Sequence, residues 1–397
     1  QSLSRPSALS FNGEYMVTTT PVGDSNLLGL QVCSTKNGEV RGGKMTVKKG
    51  WRPNMARFSV DETHLLVSSS SGTGGKTEFQ LWNWRLGKKV GEASKLKGNV
   101  MEISPDGNLA MCAGFFSVHV WETKGESPEK YEHSQPGGLI RGAAFSPDSK
   151  LIAFGYADGS VKVFEARSGD MVGKPMLHKN RIRDLTFDST GERLLTASAD
   201  GTARMWNVFT GEELPNSPLV HQSGVNSVEF SPDDSMILTG SSDKTARLWD
   251  GASLKPFGAP MQHKDRVISA HFDSKGHQIL TATEGAFWLW SVGSSVPIVE
   301  GQTRNQLRGA FFSKDRERVF TATDNSPSQI RAVRPAQPRS QVFRHYQALG
   351  QPARNTDWVN SARFSHDGEQ FITSGVDGIV RIWDVALSLE KGDFGTG

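Results

Sequence analysis

Apolar and polar residues alternate with period two along most of this chain, in short runs separated by gaps rich in Asp, Ser, Gly and Pro. Alternation puts successive side chains on opposite faces of an extended backbone, and the gaps carry turn formers, so the pattern predicts antiparallel strands joined in series. It is clearest from His178 to Asp250, where HKNRIRDLTFDSTGERLLTASADGTARMWN is followed by HQSGVNSVEFSPDDSMILTGSSDKTARLWD. Each copy has a His before the first run, a turn, a second run of small residues, an Asp-containing turn and a third run ending in Trp. Helical periodicity appears nowhere outside the final dozen residues. Two such copies in succession identify a repeat architecture.

The residue closing each first run, just before a Ser-Pro-Asp-Gly-like turn, anchors the alignment. The anchors are Leu9, Phe58, Ile103, Phe145, Phe187, Phe230, Phe272, Phe312 and Phe364, standing 40 to 52 residues apart. That spacing fits one four-stranded unit per step. The third strand carries Trp82, Trp121, Trp206, Trp249, Trp290 and Trp383, with Phe164 in one unit and the degenerate Cys33 and Val333 in two others. The last unit lacks an evident outer strand; Leu387–Leu389 or the residues 1–4 are expected to supply it.

At these residues the chain resembles the WD-repeat family. The resemblance implies an all-β, closed β-propeller of about nine four-stranded antiparallel blades, or eight if the first unit is irregular, spanning 1–397 as a single domain. It also implies a hydrogen-bonded network within each blade. That set is complete in two units, as His178, Ser198 or Thr196, Asp200 and Trp206, and as His221, Ser241 or Thr239, Asp243 and Trp249. The unit at 263–290 keeps His263 and Trp290 but has Glu284-Gly285 at the Asp turn. The Gly-Lys-Pro and Gly-Ala-Pro phrases before His178 and His263 look like bacterial WD-repeat proteins, in which such regions are often attached to Ser/Thr protein kinases. Neither a glycine-rich kinase loop nor His-Arg-Asp nor Asp-Phe-Gly occurs here.

Composition narrows the reading further. A net charge of +3 on 397 residues offers no strong nucleic-acid footprint. Two cysteines, Cys33 and Cys112, do not make a disulfide framework. No apolar run is long enough to span a bilayer. The start, Gln-Ser-Leu-Ser-Arg, has no signal-peptide pattern, and suggests an excised domain or processed product. A cytoplasmic, monomeric protein without nucleic-acid or membrane partners is expected.

Candidate chemistry is sparse. The Gly75-Lys76-Thr77 stretch suggests a phosphate loop but lacks the first glycine and joins strand to strand rather than strand to helix. No nucleophile elbow, zinc motif or Cys-x-x-Cys is present, so no catalytic residue, metal or cofactor is expected. One position does stand out. Four residues before the anchors are Arg5, Asn54, Asn99, Arg141, Arg183, Asn226, Ile268, Arg308 and Asn360. Eight of these nine are Arg or Asn, at the entry to each innermost strand, where a ring at the mouth of a channel is expected. Arg matches carboxylate and phosphate geometry and Asn presents an amide to a peptide backbone. With Arg181, Arg266 and Arg304 nearby, the expected function is a non-enzymatic scaffold or adaptor that docks a protein or an acidic or phosphorylated peptide on its top face. The alternatives are a small-anion sensor and an enzyme with a site in the central channel. Phe115, Phe116 and Trp358 on loops, and the Pro- and Arg-containing stretch 335–357, are further candidate contacts.

Overall fold

A computed structural model describes residues 15–22, 25–34, 39–48, 51–59, 62–71, 77–96, 100–113, 117–122, 130–134, 138–273, 275–294, 297–302, 307–312, 318–323, 329–332, 359–364, 370–375 and 380–384. Among them are strands and turns and no helix. The strands form nine antiparallel sheets, each drawn from one consecutive stretch of chain, so every sheet is a meander. The sheet of Ile182–Phe187, Arg193–Ser198, Thr202–Asn207 and Leu219–Val220 is representative. Six sheets have four strands; the first, eighth and ninth have three among the described residues. The expected strand near 7–10, the segment 341–346 and the candidates for closing the last unit lie outside the described residues.

The chain divides into two compact units by its contacts. One comprises 1–95, 125–128 and 304–397, the other 96–124 and 129–303. In the second unit the first strands of successive sheets pack beside one another: Val100–Ile103 beside Ile140–Phe145, then Ile182–Phe187, Val225–Phe230 and Ser269–Phe272. Its cores lie between neighbouring sheets. Ile182, Leu185 and Phe187 pack against Ala153, Val161 and Val163 of the preceding sheet, and Val225, Val228 and Phe230 against Leu195, Ala197 and Met205. Alternation places one apolar set on each face, and stacking buries both. In the first unit Val17, Leu30, Leu65, Val67, Trp82 and Trp84 share one core.

The Ser-Pro-Asp turns form for a local reason. Ser146 Oγ donates to Asp148 Oδ1 at 2.6 Å and accepts from Leu151 N at 2.9 Å. Ser231 and Asp233 repeat this at 2.6 Å. The turn's last residue is left-handed, as Gly107 (φ 72°) or Ser149 (φ 64°). Ser70 pairs with Thr77, so the Gly75-Lys76-Thr77 stretch runs into a strand, and residues 72–76 lie outside the described residues.

The outermost strands contact the next sheet through a glycine. Gly173 sits at φ 66°, at a register shift in its strand, and an added methyl there would lie 2.9 Å from Phe209 O. Gly42, at φ 83°, stands likewise against Trp84 O. Left-handed backbone and a close carbonyl both demand glycine. Gly173→Ala is therefore expected to destabilise the chain by about 1–3 kcal/mol, measured by urea unfolding against Gly91→Ala. Gly91 shares the positive φ but has nothing within 4 Å, so a smaller loss there isolates the contact term.

Candidate functional site

The first strands of the sheets carry the candidate positions, and six of them have an irregularity at the same place. In the ladder of Ile182–Phe187, Ile182 pairs with Ser198 and Asp184 with Ala197, leaving Arg183 as an extra, unpaired residue. Arg141, Asn226, Arg308, Asn360 and Asn54 occupy the corresponding register shift in their own strands. Such a β-bulge re-aims a side chain and interrupts pairing, and bulges are common beside functional sites. Ile268, the apolar exception, lies just before Ser269–Phe272, whose register has no shift. Arg5, Asn99, Arg304, Phe115, Phe116, Trp358 and the stretch 335–357 lie outside the described residues.

Arg183 and Asn226 are brought together. Arg183 Nη1 donates to Asn226 Oδ1 and, at 3.2 Å, to Ser242 Oγ. Asn226 Nδ2 donates onward to Val267 O at 2.6 Å, just before the first strand of the following sheet. Gly224 permits this, since a methyl there would stand 3.0 Å from the guanidinium carbon of Arg183. Burial lowers the pKa of Arg183, and the charges of Arg181 and Arg266 lower it further, so three cations stand close enough to repel. Arg141 and Arg181 are exposed. Arg266 is ion-paired with Glu284.

Beneath the bulges the strands are tied by groups that the sequence did not flag. Asp184 accepts from Val228 N at 3.0 Å across the sheet boundary and from Leu185 N at 3.0 Å. Desolvation pushes its carboxyl up to about 6, the amides and His271 opposing. Glu229 reaches His271 Nδ1 at 2.9 Å one sheet further on. Both oxygens of Asp184 are taken by amides, so the carboxyl is a structural bridge between sheets, and its raised pKa comes chiefly from burial. Among the described residues no group of three His, Cys, Asp or Glu could hold a metal ion, and no helix is long and apolar enough to cross a membrane.

The blade networks place Thr196 and Thr239 at their centres. Trp206 Nε1 donates to Thr196 Oγ1 at 2.8 Å, which lies 2.7 Å from His178 Nε2, while His178 Nδ1 lies 3.1 Å from Asp200 Oδ2. With Nδ1–H donating to the carboxylate, the neutral ring accepts the threonine hydroxyl at Nε2. His221, Thr239, Asp243 and Trp249 repeat this with distances of 2.7, 2.9 and 2.9 Å. Ser198 and Ser241 serve the turn instead: Ser198 Oγ donates to Asn180 O at 2.9 Å and Ser241 Oγ to Ser223 O at 3.0 Å. The recurring Leu-Thr before each small-residue pair was the available signal. It also marks Thr281, which joins His263 Nε2 at 2.7 Å and Trp290 Nε1 at 2.8 Å.

Where the Asp is missing the consequence is visible. Glu284 turns to Arg266, and the buried Nδ1 of His263 has no hydrogen-bond partner. Burial holds the His263 pKa down to about 4.

The family described as "WD domain, G-beta repeat" matches residues 172–207, 216–250 and 349–384, and "Anaphase-promoting complex subunit 4 WD40 domain" matches 111–180. The serine-threonine kinase receptor-associated protein of Dictyostelium discoideum is 26% identical over 284 residues, covering 63% of this chain and 96% of that protein. Periodic tryptophan protein 2 of Arabidopsis thaliana is 25% identical over 279 residues, covering 69% of this chain and 25% of the relative. Several curated relatives are matched over only 18% to 34% of their own length. A computationally designed protein, Ika8, shares the fold with a TM-score of 0.60 at 20% identity, covering 81% of this chain and 93% of its own. The two natural relatives are eukaryotic, and the bacterial likeness of the Gly-Lys-Pro phrases finds no counterpart in them.

Two outcomes follow from the networks. Thr239→Val strands the Trp249 indole N–H and is expected to cost about 2–3 kcal/mol in urea unfolding, with Val228→Ala as a packing control. For His263 the ring is neutral in the folded state and its pKa lies below the unfolded 6.5. Its stabilising contribution is therefore complete above pH 6.5 and is lost as pH falls toward 4, about 3 kcal/mol in all. Unfolding curves at pH 7 and 4.5 should show this loss, and His263→Gln should flatten it.

Proposed function

We propose that this chain, which carries WD repeats, closes into one propeller of nine blades and serves as a non-catalytic docking platform for a protein partner. It binds acidic or phosphorylated peptide segments at the bulge-borne arginines. The WD-repeat relatives support the interaction role in general terms. The observation that carries the finer reading is the cluster at Arg183, fixed by Asn226 and Ser242 on its bulge, where burial and the neighbouring charges of Arg181 and Arg266 lower its pKa. With Arg266 already paired to Glu284, an anion would relieve the repulsion between Arg183 and Arg181, and a guanidinium already fixed by Asn226 and Ser242 loses little freedom on binding. Arg141 extends the same chemistry to the bulge of the adjacent sheet.

The test is fluorescence anisotropy against matched phosphorylated, acidic and neutral peptide libraries. Binding selective for the first two, weakened by salt and reduced about tenfold by Arg141→Glu or Arg181→Glu, is expected. Both side chains are exposed, so these changes leave the fold intact. Peptide binding indifferent to both substitutions would refute the reading.

A further inference from the structure

Arg41, Lys44 and Lys48 stand on or just after the strand Val40–Thr46, and Arg85, Lys88 and Lys89 lie some forty residues later, at and after the turn that follows Thr77–Asn83. Folding makes them one surface. Gly43 N donates to Trp84 O at 3.0 Å, and a methyl at Gly87 would lie 3.0 Å from Lys44 N, so the two segments meet backbone to backbone. Lys48 and Lys89 line one cavity of about 20 Å³, and Arg85 lies over the rings of Trp84 and Tyr15 at 4.5 and 5.5 Å. All six cations are exposed.

Among the described residues, the ion pairs in this cluster use two carboxylates, Glu39 with Arg41 at 2.9 Å and Glu78 with Lys48 at 2.5 Å. Amid the cations two aliphatic side chains project, Val40 with 53% and Leu86 with 64% of its surface exposed. A polynucleotide would gain nothing from them. An anionic bilayer would take the ammonium and guanidinium groups at its headgroups and the aliphatic tips at the boundary below.

We propose that this face of the first two sheets is a docking surface for an anionic lipid membrane. The balanced charge and the lack of a spanning run, which led to an expectation of no membrane partner, concern the chain as a whole and its crossing of a bilayer. The patch forms only when the two segments pair, and it engages a surface.

The experiment is sedimentation of the full chain with phosphatidylcholine vesicles, with and without phosphatidylserine, at low and raised salt. Binding to the phosphatidylserine vesicles alone, released by salt, is expected. Lys44→Ala, Lys88→Ala and Lys89→Ala should each lower it about fivefold. Leu86→Asp should also weaken it, and the exposed substitutions should leave the melting temperature unchanged. Equal sedimentation with both vesicles, or none, would overturn the proposal. So would a Leu86→Asp variant that binds as before, or a DNA duplex bound in place of the vesicles, since either result would make the patch a purely electrostatic polyanion site.

Discussion

In three consecutive sheets a buried threonine hydroxyl must satisfy an indole N–H on one side and an imidazole nitrogen on the other. Thr196, Thr239 and Thr281 do so within 2.7 to 2.9 Å. The geometry locks several things together. The indole fixes the third strand against the second. The imidazole, which lies just beyond the fourth strand of the preceding sheet in chain order, ties the sequence leading into the first strand to the same point. Asp200 and Asp243 then orient the ring by taking its other N–H. A hydroxyl buried between two polar rings is costly to lose and cheap to keep, because every partner is already desolvated.

That constraint also explains where regularity fades. In the second sheet Val67 pairs across from Gln80, as Thr196 does from Arg204, so a methyl group replaces the hydroxyl and the Trp82 indole N–H has no acceptor. Val47 and Val67 join Trp82 in an apolar core. The sheet therefore holds by packing where its counterparts hold by hydrogen bonds.

The fold class and the sheet order were legible because they depend on alternation and turn chemistry, which are local. Ser146-Pro147-Asp148 closes its turn with its own side chains, so the motif and the structure carry the same information. The division of labour between Thr196 and Ser198 was left open because both are small hydroxyl residues two apart on one strand face; the recurring Leu-Thr marks the one that register places opposite Arg204. The bulges were not legible at all. An extra residue in a ladder leaves no mark on a period-two pattern until the partner strand is placed, yet it sets the direction of Arg141, Arg183 and Asn226.

At the bulge, the proposed recognition role is physically compatible with a structural one at the same residue. Arg183 spends one nitrogen on Asn226 and Ser242, which locks the neighbouring sheets, and the remaining donors of a guanidinium stay in a fixed plane. A flexible arginine would pay rotamer entropy on meeting a ligand; this one has given it up on folding. The proximity of Arg181 and Arg266 would be a pure liability in a wholly structural joint. It is tolerable because Glu284 draws off Arg266 and because Arg181 remains open to solvent. Where the position holds Ile268, the strand begins without a bulge and neither role is available. The same backbone irregularity thus provides, at Arg183 and Asn226, both the joint between sheets and the posture of the side chain.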